Sequence, residues 1–377
     1  MSDKIRNLIA AIAAISVFGF ALGLTFPLLS LLMEKAGISA EVIGYNTAMQ
    51  PVGILLAGFA IPAAVRNWGA RNTAIAASFL AALISLAYPH LPITPWFVLR
   101  VIQGFSVSIL FSISESWILR FAEGPYRSRI VALYASVLSL SFAGGPVIIA
   151  WTGIDSILPF VIGAGVLVLA TLPIFALKDS ETPAEDGAAA TMLSFAPKAP
   201  ILLTAVFMFA LLDAAHLGFL PVYGIRKGMS EEAAALVLTA FVIGNTILQF
   251  PIGWIADHFD KRLVMAGCAL LTAITTALIP SVAGSWLLWP LIMVMGAVSA
   301  GIYLVALSDL GDRFGGGELM AGTASFGVMW GTGALAGAVT AGWAFEGFGP
   351  DGYLYLIAIL FAFFPVAVIG RQLATRR

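Results

Sequence analysis

The chain has 377 residues, of which 60% are hydrophobic and 10% charged, with a net charge of −1. Its mean hydropathy is +0.99. A soluble domain carries about 25% charged residues, and a chain this apolar could not hide its surface from water. There is no basic surface for nucleic acid, and one cysteine, Cys268, can build neither a disulfide framework nor a thiolate metal site.

Crossing the ~30 Å hydrocarbon layer takes about 20 apolar residues, in a helix because lipid cannot satisfy free backbone groups. The first such run, Leu8 to Met33, follows Lys4 and Arg6. It is too long for a secretion signal, whose apolar core is about 7–15 residues, and reads as a retained helix. Spans are predicted at 8–33, 42–65, 73–88, 96–119, 130–151 and 156–177. A second set follows at 201–223, 232–256, 262–281, 286–308, 320–344 and 352–370. Pro89-His90-Leu91-Pro92 and Gly349-Pro350-Asp351-Gly352 mark clear breaks.

Charge tests this count. Of the 19 Lys and Arg, Arg100 lies inside a span, and only Lys35, Arg226 and Lys227 fall opposite the amino terminus. The positive-inside rule then places both termini in the cytoplasm. The longest hydrophilic stretch, 178–200, is expected to be a cytoplasmic linker between six-helix bundles at 1–177 and 201–377. Gly37-Ile38-Ser39-Ala40-Glu41 is echoed 191 residues later by Gly228-Met229-Ser230-Glu231-Glu232. Arg71 and Arg262 follow these glycines at equal spacing, so the halves read as parallel repeats. The expected fold is an all-α membrane protein of twelve transmembrane helices in two six-helix pseudo-repeat bundles.

An ion at a helix centre costs about 2.5–3.5 kcal/mol on insertion scales, so each one inside a span needs a reason. Four ionisable residues lie clearly inside: Arg100, Glu115, Asp213 and His216. Asp213 and His216, three residues apart on the seventh span, share a helical face and could exchange a proton. Hydrogen bonding that merely fixes helix packing is the alternative. Arg100 and Glu115 lie on one side of the fourth span, with Gln103 near that stripe. Asn46 and Gln50, like Asn245 and Gln249, are amide pairs one turn apart, suited to a cavity wall or to interhelical bonding. Trp117, Tyr303 and Trp330 are candidates for stacking on a substrate, or else interfacial anchors. Gly327, Gly331, Gly333 and Gly337 permit close helix approach. No phosphate-binding glycine-lysine loop and no hydrolase motif appears, so neither an enzyme nor a bound cofactor or metal is expected.

Twelve spans divided six and six around a central loop resemble the major facilitator superfamily over the whole chain. Gly253-Trp254-Ile255-Ala256-Asp257-His258-Phe259-Asp260-Lys261-Arg262 resembles the superfamily's loop signature, with His258 and Asp260 departing from it. The first-half loop keeps Gly69 and Arg71 but has Arg66 where the acid is expected. The resemblance implies a cytoplasmic gate at Gly253, Asp257, Lys261, Arg262 and Arg71. Arg100-Val101-Ile102-Gln103-Gly104 resembles a family motif whose arginine takes part in proton coupling, and Gly144-Gly145-Pro146 loosely resembles an antiporter motif. Ser114-Glu115-Ser116 with Arg127-Ser128-Arg129 is similar to a poorly characterised bacterial branch.

The expectation is a proton-coupled secondary transporter working by alternating access, with Asp213, His216, Arg100 and Glu115 in coupling. Export of apolar or drug-like compounds is favoured over uptake of a small organic anion at Arg100. A membrane sensor or scaffold is the further alternative. The expected partners are a small-molecule substrate, protons and the lipid bilayer of a bacterial inner membrane, with a monomer sufficing.

Overall fold

The computed structural model describes residues 3–121, 127–177 and 194–375. Most of the linker, 178–193, lies outside the described residues. In the first half the helices are α1 (Asp3–Lys35), α2 (Ala40–Trp68), α3 (Ala70–Ala87), α4 (Ile93–Phe121), α5 (Arg127–Thr152) and α6 (Leu158–Phe175). In the second they are α7 (Pro200–Arg226), α8 (Glu231–His258), α9 (Lys261–Val282) and α10 (Leu288–Arg313). The last run, Gly316–Thr375, is helical on both sides of Gly349, whose φ of 75° breaks it into α11 (316–348) and α12 (350–375). Eleven helical runs among the described residues are long and apolar enough to cross a membrane, and this last one is long enough to cross twice. The break falls at the predicted Gly-Pro-Asp-Gly signal because glycine tolerates positive φ and proline cannot continue the preceding ladder.

The repeat is visible in the backbone. Gly37 and Gly228 both take positive φ, 72° and 83°. Ser39 and Ser230 follow, each accepting a backbone N–H three residues on, from Val42 and Ala233. A helix end closed by glycine and a new start capped by serine is the same turn built twice.

Contacts divide the chain into two units, Met1–Ala36 with Met49–Asp186, and Gly37–Ala48 with Gly187–Arg377. The sequence reading ends the first bundle at 177 without interruption, whereas residues 37–48 group with the second. The cause is local. Glu346 Oε2 accepts the Ala40 N–H at 2.8 Å, and Trp343 Nε1 donates to Glu41 and Tyr45. Gly44 and Gly342 bring their backbones together.

Within the first unit α1 packs on α4, α5 and α6, and α3 on α4 and α6. Within the second α7 packs on α8, α10 and the Gly316–Thr375 run, and α9 on α10 and the same run. Glycine sets the closest crossings. A methyl group at Gly53 would stand 2.0 Å from the Val101 carbonyl, and one at Gly104 2.1 Å from that of Gln50. In the second unit the corresponding clashes are 2.0 Å for Gly244 on Met293 and 2.1 Å for Gly296 on Phe241. Thus α2 crosses α4, and α8 crosses α10, with backbone on backbone at matching places.

Candidate transport site

The polar residues of the first unit converge on α4. Arg100 is completely buried, although it lies on a helix that is apolar over most of its length. Its guanidinium donates to Gln50 Oε1 on α2 at 3.0 Å and lies 5.2 Å from the centre of the Phe26 ring on α1. A planar cation seated on an aromatic face and bonded to an amide is a stable way to keep a charge in a dry place. One turn later Gln103 Oε1 accepts the Tyr88 hydroxyl at 2.9 Å. Tyr88 in turn is fixed by Trp96, whose indole N–H donates to its carbonyl. Gln50, which by its spacing suits a cavity wall or interhelical bonding, and Gln103 are both sealed among helices and bonded to Arg100 and Tyr88. Asn46, one turn earlier on α2 and grouped with the second unit, is also buried.

Towards the other end of α4 the pattern reverses. Glu115 is exposed and makes no hydrogen bond or ion pair among the described residues. Its neighbour Ser114 is buried against the Tyr134 hydroxyl at 3.0 Å. Trp117 is 1% exposed, its indole turned into the packing and away from any stacking role on a surface. The side chains of Arg127, Ser128 and Arg129 lie outside the described residues.

In the second unit the structure does not bring Asp213 and His216 together. No hydrogen bond joins them. His216 is completely buried in an aromatic nest, its ring 5.8 Å from Phe241 and 6.0 Å from Tyr353. Neither ring nitrogen has a well-formed hydrogen bond. Asp213 is only partly buried and forms no hydrogen bond or ion pair among the described residues. Residues three apart on a helix point about 60° from each other. That angle is enough to send one into the packing and leave the other open.

Aromatic residues gather on the helices around Asp213. Phe209 lies one turn before it on α7, with its ring 5.3 Å from that of Tyr303 on α10. Tyr303 also lies 6.4 Å from Phe326 on α11. Trp330 packs against the small cluster of Ala210, Ala214 and Ala334, the first two flanking Asp213. Phe209 and Phe326 carry no signal in the sequence beyond their positions one helical turn from Asp213 and Trp330. Asn245 and Gln249 on α8 are half-buried and bonded to each other.

Of the residues expected to gate, Lys261 and Arg71 have side-chain partners of their own. Lys261 pairs with Asp312 and donates to Ser308 at 2.7 Å, both on α10. Asp260 caps α9 by accepting the Arg262 backbone N–H at 2.8 Å. Arg71 donates to the Phe175 carbonyl at the end of α6. Gly253 lies on α8 with room for a side chain, and Asp257, one turn later, forms no ion pair among the described residues.

A family model described as the Major Facilitator Superfamily matches residues 11–235 and 202–375. The chain is 26% identical over 356 residues to an uncharacterized MFS-type transporter, YfkF, of Bacillus subtilis (strain 168), covering 92% of this chain and 90% of that one. It is 21% identical over 344 residues to another, YcaD, of Escherichia coli O6:K15:H31, covering 89% and 88%. Among solved structures it superimposes on a mutant of the nucleoside transporter NupG with a TM-score of 0.78, over 100% of both chains at 13% identity. At that identity the likeness carries the fold and not the cargo.

Proposed function

Because the chain belongs to the Major Facilitator Superfamily and is a multi-pass membrane transporter, we propose that it is a secondary active transporter coupled to protons, exporting apolar or drug-like compounds. One observation carries this reading: Asp213 lies in the middle of α7, inside a membrane-spanning helix, partly open and without a hydrogen bond or ion pair among the described residues. A carboxylate held in that position without a counter-charge is costly, and a reversible proton relieves the cost. His216 is left in its aromatic nest as a packing residue. Transport would proceed by alternating access around the mid-membrane region. The excess of Lys and Arg on the amino-terminal side supports cytoplasmic termini, and likeness to bacterial transporters is what suggests a bacterial inner membrane.

Uptake of an organic anion at Arg100 is disfavoured, since its guanidinium is sealed by Gln50 and Phe26. The test compares intracellular and medium metabolites in cells expressing the wild type or Asp213→Asn at matched levels, with and without a protonophore. The expected result is a compound redistributed by the wild type alone, and only while the proton gradient stands. Full redistribution by Asp213→Asn would remove the carboxylate from the mechanism.

A further inference from the structure

The four ionisable residues within the spans divide by sign. Both basic ones, Arg100 and His216, are completely buried. Both acidic ones keep surface outside the packing: Glu115 in the first unit and Asp213 in the second. Neither acid has a hydrogen bond or ion pair among the described residues, while Arg100 is engaged by Gln50 and Phe26. In the second unit taken alone, the charge left for a solute in mid-span is therefore negative.

The surroundings of Asp213 narrow the chemistry. Phe209 precedes it by one turn and so shares its face of α7. The Phe209 ring sits against Tyr303, which sits against Phe326. On the other flank, Ala210 and Ala214 are small enough for the Trp330 ring to lie on α7. A carboxylate bordered by aromatic rings attracts a cation twice, by charge and by the negative faces of the rings. It gives an anion nothing and a neutral solute only apolar area. An inorganic cation would want several oxygen ligands, which carbon-rich walls do not offer.

We propose that the cargo is an organic cation, an amine or quaternary ammonium or phosphonium bearing apolar groups, bound at Asp213 and flanked by Phe209, Tyr303 and Trp330. This rests on the transport reading above and names its substrate class. The cation and the coupling proton then meet at the same carboxylate.

The test uses the purified full chain in detergent, without any gradient, and two probes of one shape and opposite charge: tetraphenylphosphonium and tetraphenylborate. Equilibrium dialysis should show saturable binding of the phosphonium and none of the borate above empty micelles. Asp213→Asn should weaken phosphonium binding about tenfold or more, Asp213→Glu should largely restore it, and Trp330→Leu should weaken it by about three- to tenfold. Gel filtration and thermal unfolding establish that each variant is folded. Failure of the wild type to bind the phosphonium would overturn the proposal, as would saturable borate binding or undiminished phosphonium binding by folded Asp213→Asn. Binding is read at equilibrium, so these outcomes leave gradient-driven transport untouched. Conversely, specific phosphonium binding with no protonophore-sensitive flux would keep the site and refute the coupling.

Discussion

The Arg100 guanidinium donates to the Gln50 side-chain oxygen at 3.0 Å, so a neutral amide on α2 is one of the groups that hold the arginine within the spans. The positive charge stays where it is, and its solvation depends on Gln50 and on the ring of Phe26. Gln50→Leu removes that acceptor while preserving bulk. A hydrogen bond to a charged group contributes about 1.5–3 kcal/mol, and the variant should lose about that much stability. Thermal unfolding of the purified protein reads it, and Gln50→Glu, which restores an acceptor, should recover the loss. An unchanged melting temperature in Gln50→Leu would mean that the Gln50 bond contributes nothing to holding Arg100.

Glycine crossings give a sharper contrast. Gly104→Ala and Gly296→Ala place a methyl 2.1 Å from a carbonyl oxygen on the facing helix. The backbones must part, and each variant should lose about 1–3 kcal/mol. Gly58 and Gly267 have nothing within 4 Å of the same methyl. Alanine there should be neutral or stabilising by up to about 1 kcal/mol, through helix propensity alone. Unfolding midpoints of the four variants test the contrast, and equal effects at all four sites would contradict it.

His216 separates packing from coupling. His216→Leu removes two buried ring nitrogens that lack well-formed bonds, at the expense of ring contacts with Phe241 and Tyr353. These changes oppose one another, and the net effect on stability should lie within about 1 kcal/mol. Protonophore-sensitive redistribution should survive in cells expressing the variant. Its loss in a folded His216→Leu protein would return the imidazole to the proton path.

Much of this architecture is legible in the sequence because lipid is a strict solvent. It demands long apolar helices, so the breaks at Pro89 to Pro92 and at Gly349 stand out, and it makes ions so rare that four could be singled out. Helical periodicity alone does not say which way a side chain faces once twelve helices compete for contact. Asp213 and His216 fall on one face by spacing, yet Phe241 and Tyr353 claim the imidazole and leave the carboxylate open. By spacing alone Gln50 suits a cavity wall and interhelical bonding alike, and only the fold shows Arg100 taking its oxygen, as Tyr88 on another element takes that of Gln103. Glycine is ambiguous for the same reason. Gly333 and Gly337 pack against α7, whereas Gly327 in the same string has nothing within 4 Å.

The matched glycine crossings also separate what the two halves share from where they differ. Gln50 precedes Gly53 by three residues and Arg100 precedes Gly104 by four; at the same places before Gly244 and Gly296 stand Phe241 and Ile292. A polar pair in one copy is thus a purely apolar pair in the other, on an unchanged crossing of helices. The backbone crossing therefore accepts either kind of pair, so the polarity of one helix pair can change without moving the frame that carries the other helices.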